Sequence, residues 1–113
     1  MAEYYKLERV RALAENDEDF IMALAAAFIE EVPEDAERLS KSVPAQNFRE
    51  TYQAAHKMKP TIELFGLEVY DALIVVQDWG KYEQTDKNID TELQRVLTAV
   101  ANATQEIKSD FGL

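Results

Sequence analysis

One side chain in this sequence is suited to nucleophilic chemistry near neutral pH without an unusual environment: His56, the only histidine among 113 residues. The local sequence is Ala54-Ala55-His56-Lys57-Met58-Lys59-Pro60. Lys59 stands three residues on, which on a helix is the same face one turn later. A ring nitrogen with an ammonium one turn away is equipped to take up a phosphoryl group, with the cation offsetting the incoming charge. At about 4 Å such a pair is worth roughly 1 kcal/mol in water, and more where water is partly excluded. Pro60 and Glu63 continue that face. Pro60 is compact and leaves a partner room to approach. It also removes the backbone hydrogen bond that position 60 would donate to the His56 carbonyl, which predicts a slight bend.

The charge around the histidine is unlike that of the chain. Lys41 to Pro60 holds four basic residues (Lys41, Arg49, Lys57, Lys59) and one acid, Glu50, inside a chain of net charge −10. A partner with an acidic, phosphoryl-bearing pocket would be steered to this segment. Spacing adds two residues. If the helices flanking Gly66-Leu67 run antiparallel, His56, ten before Gly66, lies level with Gln77, ten after Leu67. Gln77 is then placed to bond the proximal ring nitrogen and set the tautomer. Lys81, one turn later, adds to the positive field. Gln53, Arg49, Lys57, Pro60, Glu63, Gln77 and Lys81 are the candidate partner-facing residues.

Other chemistries find no residues to carry them. The sequence has no cysteine, which excludes disulfides and thiolate metal sites. Di-iron bundles carry Glu-x-x-His on their helices. Here Gln53 occupies the acid's position and there is no second histidine, so no metal site is expected. No Ser/His/Asp set, Cys/His set or Gly-rich phosphate loop can be assembled. We therefore expect no autonomous enzyme.

The elements that must position His56 read as helices throughout. With three glycines, three prolines and 47% apolar residues, the chain lacks the punctuation of a β protein. A short first helix is expected over 4–14, with Leu7, Val10, Leu13 and Ala14 inward. Asn16 and Asp17 offer an N-cap for a second helix over 17–43, whose stripe is Phe20, Leu24, Ala27, Phe28, Val32, Ala36 and Leu39. It is read as continuous through Pro33, with a bend there. The third helix, 45–65, carries Phe48, Tyr52, Ala55, Met58, Ile62 and Phe65 inward, and Gly66 stops it. His56 falls beside this stripe and not within it, at the rim. The fourth helix covers 67–79 and ends at Gly80. Trp79 is expected to pack between the last two helices. The fifth covers 89–110, with Leu93, Val96, Leu97, Val100, Ala103 and Ile107 inward. Phe20, Phe28, Phe48 and Tyr52 are read as core. The expectation is all-α: an antiparallel four-helix bundle with a short extra N-terminal helix, one domain over 1–113.

The acidic balance argues against nucleic acid as main partner and against an anionic membrane surface. No apolar run reaches about 18 residues, and no signal-peptide pattern opens the chain. A cytoplasmic location follows as the expectation. Met1 and a helix reaching almost to Leu113 favour a free-standing protein.

His56-Lys57-Met58-Lys59 followed by Gly66-Leu67 resembles the motif of histidine-containing phosphotransfer (HPt) domains, His-x-hydrophobic-Lys-Gly with a second glycine ten residues after the histidine. Domain size and helix order are similar over nearly the whole chain. Two positions depart from the pattern: Pro60 replaces the glycine after the lysine, and Glu63 replaces a residue that is usually small. The resemblance implies a phosphocarrier of a two-component phosphorelay. His56 would accept a phosphoryl group from a receiver-domain aspartate and pass it to another receiver, with Lys59 stabilising the phosphoryl charge. The partners would be receiver domains of response regulators and hybrid sensor kinases. Mg²⁺ would be supplied by the receiver, so no cofactor belongs to this chain, and the carrier would be a monomer. The alternative is a helical interaction module that docks receivers while His56 stays silent.

Overall fold

The computed structural model describes residues 3–113; Met1 and Ala2 lie outside them, so the expected extent of 1–113 is described only from Glu3 on. All regular structure is helical: α1 Glu8–Ala14, α2 Glu18–Ser42, α3 Phe48–Leu64, α4 Tyr70–Lys81 and α5 Asp90–Phe111. The four longer helices form a closed circuit. α2 packs on α3, α3 on α4, α4 on α5, and α5 back on α2, while α1 leans on α2. No helix among the described residues is long and apolar enough to cross a membrane.

The long helices start and stop where their chemistry dictates. The Asp17 carboxylate accepts the backbone N–H groups of Asp19 and Phe20 at 3.0 and 3.3 Å, which caps α2. α2 then runs unbroken through Pro33. Asn47 caps α3 by accepting from the Glu50 N–H at 3.2 Å, so α3 begins at Phe48, three residues later than expected. The Asn-x-x-Glu spacing at 47–50 is a capping signal that marks this start. At the other end Gly66 adopts φ +64°. Its N–H reaches the Glu63 carbonyl, and that of Leu67 reaches Ile62 at 3.2 Å. This paired closure consumes the Leu67 N–H. α4 begins at Tyr70 and not at Leu67.

Two expectations are corrected by packing. Residues 4–7 are not helical, because other elements take their polar groups. The Glu3 and Tyr4 N–H groups donate to the Glu106 carboxylate, the Lys6 N–H donates to the Phe65 carbonyl, and the Tyr5 hydroxyl donates to Asp110 at 2.7 Å. Burial, then the bond to Asp110, pushes that hydroxyl well above the usual phenol range. Gly80 does not end α4; it lies inside the last turn, against the α3 backbone. Trp79 is buried, and its ring lies tilted against Phe48 of α3, with centroids 4.5 Å apart and planes 45° apart.

The core is one contiguous cluster built from Val10, Ile21, Phe28, Val32, Leu39, Met58, Ile62, Phe65, Leu73, Val76 and the inner face of α5. Each such large side chain contributes about 1.5–3 kcal/mol by leaving water. The α2 stripe follows the expected one at Phe28, Val32, Ala36 and Leu39, all buried, and departs from it in the first turns: Ile21 and Ala25 are fully buried, whereas Phe20 is 44% exposed. Leu13 is likewise exposed, and Phe48 and Tyr52 are half-buried. A helix rich in Ala and Leu offers two adjacent apolar stripes, and only the positions of the neighbours select between them.

Candidate functional site

α3 presents His56 because Ala54, Ala55 and Met58 turn inward. The two alanines are completely buried, which lets neighbouring helices pack tightly beneath that point while the imidazole stays exposed. Its ring is held on two sides. Oε1 of Gln77, on α4, lies 3.3 Å from Nδ1. Tyr52, one turn earlier on α3, stacks on the ring with centroids 5.4 Å apart and planes 21° apart.

Gln77 is itself fixed. It is buried, and its amide nitrogen donates to Asp78 Oδ1 at 3.4 Å, which turns the carbonyl end toward the imidazole. An acceptor facing Nδ1 selects the tautomer with the proton on Nδ1. The lone pair is thereby left on Nε2, which has no hydrogen-bond partner among the described residues.

His56 lines a shallow open depression with Lys59, Pro60, Glu63 and Tyr70. Lys59 is half-buried and forms no ion pair with any described residue, so its ammonium is the available counter-charge beside the imidazole. Glu63 also lines the depression. Its carboxylate is drawn to Arg9 of α1, with Nη1–Oε1 at 3.5 Å. α3 remains helical through Pro60.

The remaining predicted residues are placed elsewhere. Lys57 points to α2, where it pairs with Asp35 at 3.3 Å and reaches Glu31 at 4.0 Å. Asp35 is buried, and a buried carboxylate requires such partners. Arg38 supplies the second, at 3.1 Å, and also binds Glu50 at 2.7 Å. Lys41 pairs with Glu37. Two of the four basic residues of the segment read from the sequence, Lys41 and Lys57, are thus taken up by acids of α2, leaving Lys59 and the exposed Arg49. Arg49, Gln53 and Lys81 are exposed and do not line the depression; Lys81 lies 5.2 Å from the Tyr82 ring centroid. Sequence reasoning missed Tyr52, Tyr70 and Arg9. Tyr52 stands four residues before His56, and that spacing was the available signal. Tyr70 and Arg9 reach the site only through the fold.

No family model, no curated protein and no solved structure matches this chain. What the site can do is therefore argued from its own groups. It offers an exposed imidazole, a ring flanked by Gln77 and Tyr52, and on the same depression an ammonium that pairs with no described residue. These suit uptake of a small anionic electrophile. Among the described residues no group of three or more His, Asp or Glu converges as metal ligands would.

Proposed function

We propose that this chain is a histidine phosphotransfer protein of a two-component phosphorelay, built as an antiparallel four-helix bundle with α1 as an extra N-terminal helix. The observation that carries the reading is the state of His56: Nδ1 faces buried Gln77, Nε2 bonds to no described residue, and Lys59, on the same depression, pairs with none. The closed circuit of four long helices supports the bundle.

Nε2 attacks the phosphorus of a receiver's aspartyl phosphate in line. The N–P bond forms as the P–O bond to the carboxylate breaks, and the carboxylate leaves with the electron pair. The imidazole then bears positive charge with its proton on Nδ1. Gln77 accepts that N–H, and the Tyr52 face lies against the charged ring. Lys59 offsets the phosphoryl dianion. Attack by a second receiver's aspartate at the same phosphorus reverses the step. Positioning and electrostatics dominate such transfers, and Mg²⁺ belongs to the receiver.

The Glu63 carboxylate in the depression favours a second reading, a module that docks receivers while His56 is silent. The two part in one experiment. The chain is mixed with phosphorylated receiver domains, and acid-labile, base-stable label is sought on it. The carrier reading expects label on the wild type and none on His56→Gln. Equal label on both proteins removes His56 as the site, and no label from any of a broad set of receivers leaves the docking module.

A further inference from the structure

Glu63 is the feature of the depression that opposes an incoming anion. It shares that surface with His56 and Lys59. A free carboxylate there would repel a phosphoryl group and compete for the Lys59 ammonium. Arg9 makes two contacts at this point. Its Nη1 lies 3.5 Å from Glu63 Oε1 and 3.4 Å from the Glu63 backbone carbonyl. The position of the α1 backbone at Arg9 does not depend on that exposed ion pair. α1 is anchored next to it by Val10, which is fully buried. The segment before α1 is tied to the end of α3 by the bond from the Lys6 N–H to the Phe65 carbonyl, 2.7 Å.

We infer that Arg9 is a positioning residue for His56: it holds and neutralises the Glu63 carboxylate, so that α1 keeps the depression open to a phosphoryl dianion. The inference rests on the phosphocarrier reading and adds α1 to the machinery. It also accounts for an acid at a position facing an anion-accepting site. Exposed pairs of this kind contribute little to stability, so variants of Arg9 and Glu63 are expected to fold.

The test uses the full chain and phosphoramidate, a small anionic donor that phosphorylates imidazole with loss of ammonia and needs no receiver. Rates of acid-labile labelling are compared for wild type, Arg9→Ala, Glu63→Gln and the double variant. Arg9→Ala is expected to be slower by about threefold to tenfold, the order produced by one unscreened like charge at the rim of a site. Glu63→Gln is expected to run faster than wild type, because Arg9 is then an unopposed cation. The double variant should return close to the wild-type rate, and Arg9→Lys should recover most of what Arg9→Ala loses. The deficit should shrink with added salt. A merely structural role for Arg9 would give no rescue by Glu63→Gln. An Arg9→Ala rate equal to wild type, or a double variant as slow as Arg9→Ala, overturns the inference. Absence of label on wild-type His56 overturns the phosphocarrier reading itself.

Discussion

Gly80 of α4 lies so close to Phe48 of α3 that a Cβ at position 80 would stand 2.6 Å from the Phe48 carbonyl oxygen and 2.8 Å from the Tyr52 backbone nitrogen. Both neighbours are backbone, so neither can swing aside. Gly80 follows Gln77 by one turn, on the same side of α4. The close approach at Gly80 is therefore what brings the Gln77 amide within reach of His56.

Gly80→Ala should push α4 off α3. We expect a loss of about 1–3 kcal/mol, the usual range for overpacking a filled interface, read from urea denaturation. The His56–Gln77 bond should lengthen or break in the same variant, read from the imidazole nitrogen shifts. Unchanged stability together with unchanged shifts would mean that the helices are not held apart by that methyl.

Gln77→Leu removes the acceptor at Nδ1 while keeping much of the side-chain volume. Stability should change by only about 1 kcal/mol, because both partners of one hydrogen bond are not left buried and unpaired. The proton should move from Nδ1 toward Nε2, and phosphoryl uptake should slow, since the attacking nitrogen then carries the proton. Nitrogen-15 spectra of the ring give the tautomer directly. A wild-type ring already protonated on Nε2 would contradict the proposed role of Gln77.

Lys59→Ala should fold like the wild type, because the ammonium pairs with no described residue. Transfer to His56 should slow, or the phosphohistidine lifetime should shorten, by about fivefold to tenfold if the lost attraction is near 1 kcal/mol. Time courses of label uptake and decay measure both. No change in either would leave Lys59 as an ordinary solvated helix charge.

Acid should weaken the α2–α3 contact through Glu50. Its carboxyl is held below the ordinary value of 4.5, chiefly by the hydrogen bond from Arg38. A depressed folded-state value means that the group stabilises the fold above its unfolded value and ceases to as pH falls through the folded one. Wild type should thus lose stability below about pH 4.5 more steeply than Glu50→Gln. Thermal melts between pH 3 and pH 7 (set by the ordinary carboxyl range) test this, and parallel curves for the two proteins would count against it.

The exposure of His56 was legible because Ala55, Met58 and Ile62 set the buried phase of α3, and the ring falls outside it. Gln77 was legible for a geometric reason: two helices joined by a tight Gly66 closure run level at equal distances from it. The α2 stripe was legible from Phe28 to Leu39 but not in the first turns, because Phe20 and Ile21 are both apolar and adjacent, and only Ile21 is buried. Nor was the fate of Lys57. A linear count of charge cannot know that Asp35 of α2 is buried opposite it.

By itself the sequence determined the helical class, the Asp17 cap of α2, the Gly66 stop of α3 and the rim position of the histidine, because these follow from residue type and from periodicity within one segment. Only the tertiary structure decided which charges remain free around that histidine. Lys57, Lys41 and Arg38 are taken up by acids, Glu63 is met by Arg9 from a helix more than fifty residues away, and Lys59 pairs with no described residue. Ion pairing depends on distances between segments, and those distances are fixed by how the buried faces of the helices fit together.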